Sequence, residues 1–332
     1  MLRTARIFIL TLSLPLGVFG QTGERLFPFL ELPVSVVAAS NGGQVVSSPV
    51  ADLNLVYHNP ALLGPSLAGQ VAFGYMNYMA DINTASVSYC RDIDEKSRWM
   101  AGIRYIDYGS MPWTSETNEL LGETSAQDMV VTGTYAWKLS PTWRAGGSFN
   151  LIYSVLDVYT STAVGVDLGV YYEQPDGLLS AGMSVTNLGS QLSSYDGTYE
   201  PLPWDIKLGV SKKLAHAPLR FNLTARNLSQ PSFSYLGDAG VHDLNLAEQL
   251  FCRLVGGVDF IPSEQVQFSL GYNYRRVREL GIDQRTFFGG FTTGMLLHIK
   301  QLTAGASYAK YHAGGNSLLM TLSFNTSVFG IK

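Results

Sequence analysis

Charged residues are scarce in this sequence. Lysine, arginine, aspartate and glutamate together make up 14% of the 332 residues, against about a quarter in an ordinary soluble domain. The formal net charge is −4, so the chain has no overall basic character of the kind that binds nucleic acid. So few charges, together with 12% aromatic residues and 34 glycines, suit a chain with much of its surface in lipid.

Long hydrophobic runs and cysteines are also scarce. Beyond residue 20, no stretch approaches the ~18 consecutive apolar residues of a transmembrane helix. Cys90 and Cys252 are too few for a disulfide framework, and we interpret both as small buried hydrophobic side chains that form no bridge. These absences exclude a helical membrane protein and a disulfide-rich secreted domain.

The first twenty residues have the layout of a secretory signal peptide. Arg3 and Arg6 precede an apolar run at residues 7–19, and Gly20 comes directly before Gln21. A run of about thirteen residues has the length of a signal-peptide core and is too short to span a bilayer as a helix. We therefore predict that residues 1–20 are removed on export and that the protein works outside the cytoplasm.

Period-two alternation dominates the rest of the chain. Phe221, Leu223 and Ala225 alternate with Asn222 and Thr224, and the same pattern recurs at residues 164–172, 179–186, 264–275 and 317–325. Successive side chains of a strand point to opposite faces of a sheet. The polar phase here is rich in Ser, Thr, Gly and Asn. This composition predicts strands with one face in lipid and the other in a crowded barrel interior.

The number of such segments predicts an all-β fold, a transmembrane antiparallel β-barrel of about fourteen strands over residues 68–332. The predicted strands begin at Ala68, Ile82, Arg98, Gln127, Thr142, Ser161, Leu178, Trp204, Pro218, Leu250, Glu264, Arg285, Gln301 and Gly315. Short turns alternate with connections that include three long loops, at residues 109–126, 188–203 and 228–249. This asymmetry predicts the outer membrane of a Gram-negative bacterium, with lipid around the barrel and both chain ends on the periplasmic side.

Residues 21–67 do not alternate. They contain five prolines and the Gly42-Gly43 pair, which favour turns and short irregular pieces. They are nevertheless too apolar for a disordered tail, with Leu53, Leu55 and Leu62 among their apolar residues. We predict that this segment packs as a plug inside the barrel or across its periplasmic mouth.

Part of this segment resembles a known family. Residues 27–35, the Gly42-Gly43 pair and Asn59-Pro60-Ala61 resemble the N-terminal pattern of the PorQ family of the type IX secretion system, which is related to PorV and to FadL-type fatty-acid channels. Asn59, Pro60 and Ala61 match the motif of the FadL-type plug region. The resemblance implies a FadL-like barrel that anchors the cell-surface attachment machinery through its extracellular loops. Its partners would be other type IX secretion components.

Two groups of residues are candidates for a functional role. The first is a set of charges on the polar phase of the strands, which we expect to pair with acids or contact the plug rather than to line a solute path: Arg104, Arg144, Asp167, Arg220, Arg226 and Arg275. The second lies in the loop at 228–249 and mixes aromatic and acidic side chains as protein contacts do: Phe233, Tyr235, Leu236, Asp238 and Asp243. The alternative for this loop is a lid over the barrel mouth.

No arrangement of residues indicates catalysis. The five histidines form no metal-ligand pair, and no Gly-x-Ser-x-Gly sequence occurs. We therefore predict neither enzymatic activity nor a cofactor.

Two functions remain: an anchor in type IX protein secretion, or a FadL-like channel for long-chain fatty acids or other small hydrophobic molecules. A channel would have an apolar pocket that leads to a lateral opening. An anchor would keep its lumen occupied and present a structured outer loop.

Overall fold

The computed structural model describes residues 26–79, 82–114, 119–230, 234–237, 240–243, 245–276, 289–312 and 315–329, so the predicted signal peptide lies outside the described residues. Fourteen antiparallel strands close into one barrel, which confirms the predicted fold. They are β1 (Gln70–Asn77), β2 (Asn83–Asp92), β3 (Ser97–Thr114), β4 (Leu120–Lys138), β5 (Trp143–Leu156), β6 (Tyr159–Glu173), β7 (Leu179–Ser193), β8 (Asp205–Lys213), β9 (Leu219–Ala225), β12 (Leu254–Ser263), β13 (Val266–Asn273), β14 (Phe291–Ile299), β15 (Leu302–His312) and β16 (Gly315–Asn325). Two further strands, β10 (Ser234–Gly237) and β11 (Gly240–Asp243), form a separate hairpin.

The barrel closes between its first and last strands. Gln70 lies opposite Asn325 at one end of this seam, and Asn77 lies opposite Leu318 at the other. A wall in lipid must pair its backbone amides and carbonyls internally, because no water can satisfy them. The seam therefore removes both edges of the sheet. None of the helices in the described part of the chain is long and apolar enough to cross a membrane.

The two faces of the wall have the predicted chemistry. Leu223 and Phe268 point outward and are 52% and 44% exposed, whereas their neighbours Thr224 and Gln267 point inward and are 1% and 4% exposed. The same alternation produces an apolar outer belt, as a lipid-facing surface requires. The inward positions are buried because other parts of the chain fill the lumen.

The ends of the barrel differ in their connections. One end, here called the short-turn end, has the connections at residues 93–96, 139–142, 174–178, 214–218, 264–265 and 300–301. The opposite, long-loop end has the extended connections at 194–204, 226–253 and 274–290. β16 ends at the short-turn end, as predicted. The first described residues of the N-terminal segment instead lie near the long-loop end, where the Phe27 ring is 6.5 Å from that of Tyr195. The prediction that both ends of the chain lie on the same side of the membrane therefore does not fit this segment.

Three predicted boundaries are wrong. The predicted loop at 188–203 starts too early, since β7 continues to Ser193. Residues 109–126 are mostly strand, since β3 continues to Thr114 and β4 begins at Leu120. Ser110, Met111 and Pro112 are exposed in succession, so both faces of β3 are exposed there and no apolar alternation indicates this stretch. Leu250, predicted to start a strand, lies in helix α2 (Leu246–Arg253) instead. Asn245 and Glu248 form a capping box that starts this helix. Arg285, another predicted strand start, lies outside the described residues.

The loss of stability caused by a charge on the outer belt should depend on the depth of that charge in the membrane. We expect Phe149→Arg, at the centre of β5, to lower the free energy of unfolding by about 2–4 kcal/mol, and Leu139→Arg, in the adjoining short turn, by about 0–1 kcal/mol. The reason is that a charge is most costly at the middle of the hydrocarbon layer. Reversible denaturant unfolding in phospholipid vesicles measures both, and equal costs would show that the belt is assigned wrongly.

Candidate functional site

Residues 26–67 run through the lumen from the long-loop end to the short-turn end and are called the plug below. Their ordered pieces are short: helix α1 (Val36–Ser40) and 3-10 turns at Pro28–Glu31, Leu53–Tyr57, Pro60–Leu62 and Pro65–Leu67. Ser35 caps α1 by accepting from the Ala38 amide at 3.2 Å and donates to the Asp52 carboxylate at 2.5 Å. Most of the plug is fully buried, so it is a core for the barrel.

A buried carboxylate joins the plug to the wall. Asp259, on β12, has no exposed surface. It accepts hydrogen bonds from Asn41 of the plug at 2.9 Å, from Arg220 at 2.8 Å and from Asn222 at 2.7 Å, and from Ser269. A guanidinium, two amides and a hydroxyl therefore donate to this carboxylate, which offsets the cost of burying its charge. Asp259 was missed from the sequence, although its inward phase on β12 was a signal that could have found it.

Asn59, Pro60 and Ala61 lie deep in the lumen against β5 and β6. The Asn59 side chain donates to the Val46 carbonyl at 2.8 Å and to the Val170 carbonyl of β6 at 3.2 Å, and it accepts from the Ala61 amide at 3.0 Å. Asn59 thus caps the next turn and fixes the plug to itself and to the wall. The motif is structural, and nothing in its geometry suggests contact with a solute.

Glycines in the wall let the plug come close. A Cβ on Gly182 of β7 would lie 2.0 Å from the Val46 carbonyl oxygen, and one on Gly169 of β6 would lie 2.0 Å from the Asn59 carboxamide oxygen. Any larger residue would push the plug away, so these strand glycines are explained by close approach of a backbone.

Three of the predicted lumen charges are in ion pairs. Arg220 contacts Asp259 at 2.8 Å, Arg226 contacts Glu31 of the plug at 3.3 Å, and Arg144 lies 3.7 Å from Glu173.

The other three predicted lumen charges, Arg104, Asp167 and Arg275, have different surroundings. Arg104 stacks over the Tyr57 ring of the plug, with 4.9 Å to its centroid, and Asp167 accepts from Asn150 and from the Asn187 amide, both at 2.7 Å. Arg275 is buried just beyond the end of β13 rather than on a strand.

The centre of the lumen holds a neutral imidazole among these charges. His58 of the plug has an Nδ1 that lies 3.1 Å from Gln44 Oε1. Burial, with nearby Lys207 and Arg104, lowers the pKa of His58 to about 3. His58 is therefore uncharged at neutral pH and adds no further positive charge to this region.

The predicted partner-binding residues lie in and around the hairpin of the long connection. Tyr235 and Leu236 are on β10 opposite His242 and Val241, and Asp243 ends β11. Phe233 and Asp238 lie outside the described residues. The connection at 226–253 therefore contains a hairpin and a helix.

A pocket of about 570 Å³ opens at the long-loop end, between the plug and the upper parts of β3 to β7. Its lining is largely aromatic and apolar, and it comprises Leu26, Phe27, Pro28, Tyr108, Met111, Ala126, Asp128, Ser154, Val155, Leu156, Tyr159, Gln191, Tyr195, Asp196, Thr198 and Glu200. We call it the mouth pocket. Phe27, Phe29 and Leu202 belong to one buried apolar cluster, and Phe27 also lines the pocket. The sequence did not predict the pocket, because its walls come from segments far apart in the chain.

The polar groups of the mouth pocket form one chain of hydrogen bonds. Tyr108 donates to Asp128 at 2.6 Å, Tyr195 donates to Ser154 at 2.5 Å, and Ser154 donates to the other oxygen of Asp128. These groups satisfy one another and hold the aromatic walls in place. The described residues that line the pocket include three acids, Asp128, Asp196 and Glu200, and no Lys, Arg or His.

The wall beside the mouth pocket is incomplete. β7 pairs with β8 only as far as Thr186 opposite Asp205, yet β7 continues to Ser193. Above that point the described backbone contact is one isolated bridge, between Ser190 and Pro201. Asn187, with a left-handed φ of 60°, marks the position where the ladder breaks. We call this gap the β7 notch.

The described part of the chain holds no group of three or more His, Cys, Asp or Glu side chains that could bind a metal ion.

Two buried asparagines of the plug provide a matched test of its anchoring. Asn59→Ala removes a donor to two carbonyls and a cap, and we expect it to lower the free energy of unfolding by about 2–4 kcal/mol. Asn54 is also buried, but neither end of its amide has a hydrogen-bond partner among the described residues. Asn54→Leu should therefore change stability by less than about 1 kcal/mol. Denaturant unfolding in vesicles compares them, and equal losses would contradict the anchoring role of Asn59.

No family model and no curated protein matches the chain, whereas solved structures resemble it in fold. The toluene transporter TodX of Pseudomonas putida has a TM-score of 0.55 at 12% identity, over 88% of this chain and 98% of that chain. A TodX mutant, a monoaromatic hydrocarbon channel, has a TM-score of 0.57 at 13% identity over the same shares. A FadL homologue of Pseudomonas aeruginosa has a TM-score of 0.49 at 8% identity, over 86% of this chain and 98% of that one. At these identities the likeness is one of fold, and the chain has the barrel fold of TodX.

Proposed function

We propose that this protein is an outer-membrane channel that admits small, uncharged hydrophobic molecules. The observation that carries the proposal is the mouth pocket: about 570 Å³, walled by aromatic and apolar side chains, and open at the long-loop end. A concave, mostly apolar pocket with a few fixed polar groups is the usual form of a small-molecule site. The barrel fold shared with TodX, a toluene transporter, supports the same function.

The charges at the pocket define the substrate class. Asp196 and Glu200 are exposed at its rim, and Asp128 lies at its base. No described lining residue is a cation that could pair with a carboxylate. A fatty-acid anion would approach like charges without a partner, which opposes binding. A neutral aromatic molecule meets no such penalty, so uncharged apolar compounds are favoured over fatty acids.

The route out of the pocket runs sideways. Straight passage is blocked, because the plug fills the lumen with packed apolar residues and hydrogen-bonded charges. The β7 notch lies next to the pocket, since Gln191, Tyr195 and Glu200 line the pocket and flank the notch. Across the notch, the Glu200 backbone amide donates to the Gln191 side-chain oxygen at 2.8 Å. A few such bonds open at less cost than a strand ladder, and an apolar solute gains by entering lipid directly.

Uptake by cells tests this proposal. Radiolabelled toluene should enter Gram-negative cells that express the protein faster than cells with an empty vector, whereas labelled palmitate should not. A disulfide across the notch, from Ser190→Cys with Pro201→Cys, should reduce toluene uptake to the vector level, and a reductant should restore it. The native cysteines are buried and form no disulfide, and they would be replaced by alanine in all variants.

A matched disulfide controls for loss of flexibility. Tyr308 and Leu318 are outward-facing partners on β15 and β16, and linking them should leave uptake unchanged. Toluene uptake no faster than in vector cells would refute the channel. Equal uptake of palmitate would refute only the exclusion of anions, and full uptake by the notch-locked variant would refute only the lateral route.

A second function, an anchor in type IX secretion, is favoured by a different observation. The plug occupies the described lumen from end to end, and the connection at 226–253 carries the β10–β11 hairpin and the capped helix α2. An occupied lumen and a structured outer loop are what an anchor needs, and a flexible loop would lose more entropy on binding.

Deleting residues 231–243 tests the anchor while it keeps the Asn245 cap of α2. The expected result is that secretion components no longer copurify with the barrel from outer membranes, at unchanged barrel abundance. Removing residues 277–288 from another connection at the same end is the control and should leave copurification intact. If partners are retained after the first deletion, this loop is not the anchor.

A further inference from the structure

Eight positions lie side by side across the outer wall, because each is the pairing partner of the next. They are Trp143, Tyr172, Ala181, Val210, Leu223, Gly256, Tyr272 and Phe291. Trp143 starts β5 at the short-turn end, and Phe291 starts β14 at the long-loop end. With neighbouring strands about 4.8 Å apart, the row is about 34 Å long. This is close to the ~30 Å thickness of the hydrocarbon core of a bilayer.

The row has aromatic pairs at both ends and two low positions, Ala181 and Gly256, on either side of Val210 and Leu223. The rings of Trp143 and Tyr172 lie 5.0 Å apart at one end, and those of Tyr272 and Phe291 lie 4.9 Å apart at the other. Between these aromatic pairs, Ala181 and Gly256 leave the wall bare. Two concavities follow the row, of about 600 and 820 Å³, and both are bordered by Leu223 and Leu254. They adjoin at these two leucines and are together called the wall trough.

The bare position at Gly256 is not required by the barrel. A Cβ there would meet nothing closer than 3.8 Å, and the residue is not among those with a positive φ. Its neighbour Gly257 differs, since a Cβ on it would lie 2.1 Å from the Asn41 side chain of the plug. Gly257 is explained by the plug, whereas Gly256 leaves room that no other part of the described chain uses.

Helix α2 forms a roof over the upper part of the wall trough. Ala247, Glu248 and Phe251 of this helix line the larger concavity, and the Phe251 ring lies 6.0 Å from that of Tyr274. Leu246 and Leu250 are one turn apart and largely exposed, at 86% and 56%. Exposed apolar residues on a short helix at the rim of a barrel suit the headgroup boundary of a membrane.

We propose that the wall trough binds a membrane phospholipid, with one acyl chain along its floor and the headgroup at α2. The trough is continuous with the apolar outer belt, and its lining is apolar apart from Asn245 and Glu248 at the α2 end. The bare strip at Gly256 lies between Leu223 and Tyr272, so it is about 10 Å wide between strand axes. An acyl chain fits this width between the flanking side chains, whereas a helix with its side chains is itself about 10–12 Å across.

Photolabelling tests the site on the full chain. The protein would be reconstituted in phosphatidylcholine vesicles with a small fraction of phosphatidylcholine that carries a diazirine on one acyl chain. After irradiation, mass spectrometry should find adducts concentrated at Leu223, Phe251 and Val258. Phe73 and Tyr75 of the outer belt on β1 should be labelled only at the background level.

Two outward glycines provide the variant and its control. Gly256→Leu fills the trough floor and should reduce labelling there to the level at β1. Gly133→Leu adds the same side chain on β4, where a Cβ meets nothing within 4 Å, and should leave labelling unchanged. Heat-dependent gel mobility checks that both barrels are folded.

Three results would overturn the proposal. The first is uniform labelling of the belt, and the second is labelling that Gly256→Leu does not reduce in a folded barrel. The third is a polypeptide rather than a lipid bound at this place, which a photoreactive residue at position 258 would reveal in native membranes.

Discussion

A wall that faces lipid must satisfy its own backbone, and the rest of this structure depends on that constraint. Pairing β1 with β16 closes the ladder, which removes the edges of the sheet but encloses a wide lumen. The inward side chains of that lumen are Ser, Thr, Asn and several charges, which need partners once water is excluded. The plug supplies them through Asn41 at Asp259, Glu31 at Arg226 and Tyr57 at Arg104. Closure of the barrel therefore requires the plug, because closure encloses polar side chains and the plug supplies their partners.

The plug that satisfies these side chains also restricts transport through the lumen. A lumen filled by a hydrogen-bonded plug offers no straight path to an apolar solute, which would have to displace buried charges. The wall is weaker at the β7 notch, where β7 runs on for several residues beyond the start of β8. Beside that notch, the mouth pocket combines aromatic walls with acids and, among its described lining, no cation. The lateral route that we propose for neutral molecules rests on where the ladder is complete and where it is not. The occupied lumen and the structured long connection are equally what an anchor would show, so loop deletion and uptake separate the two functions.

Sequence patterns predicted the fold well where one face of a strand meets lipid and the other meets the plug. The alternation at 220–226 corresponds to β9, and that at 179–186 corresponds to the part of β7 that pairs with β8. The pattern failed where this asymmetry is absent. The upper β3–β4 hairpin has exposed residues on both faces, so its pairing left no apolar period at residues 109–126. At Leu250, a capping box outweighed the apolar residues that had suggested a strand.

The sequence by itself determined the class of the protein. Scarce charges, no helical span and period-two alternation specify a membrane barrel, because each side chain's face follows from its parity along a strand. Parity places Asp128 and Asp259 inside the barrel, but it does not say which groups they meet. Only the tertiary structure decided that Asp259 holds the plug while Asp128 lies at the base of a pocket. That difference arises from contacts between segments up to 218 residues apart, which no local pattern encodes.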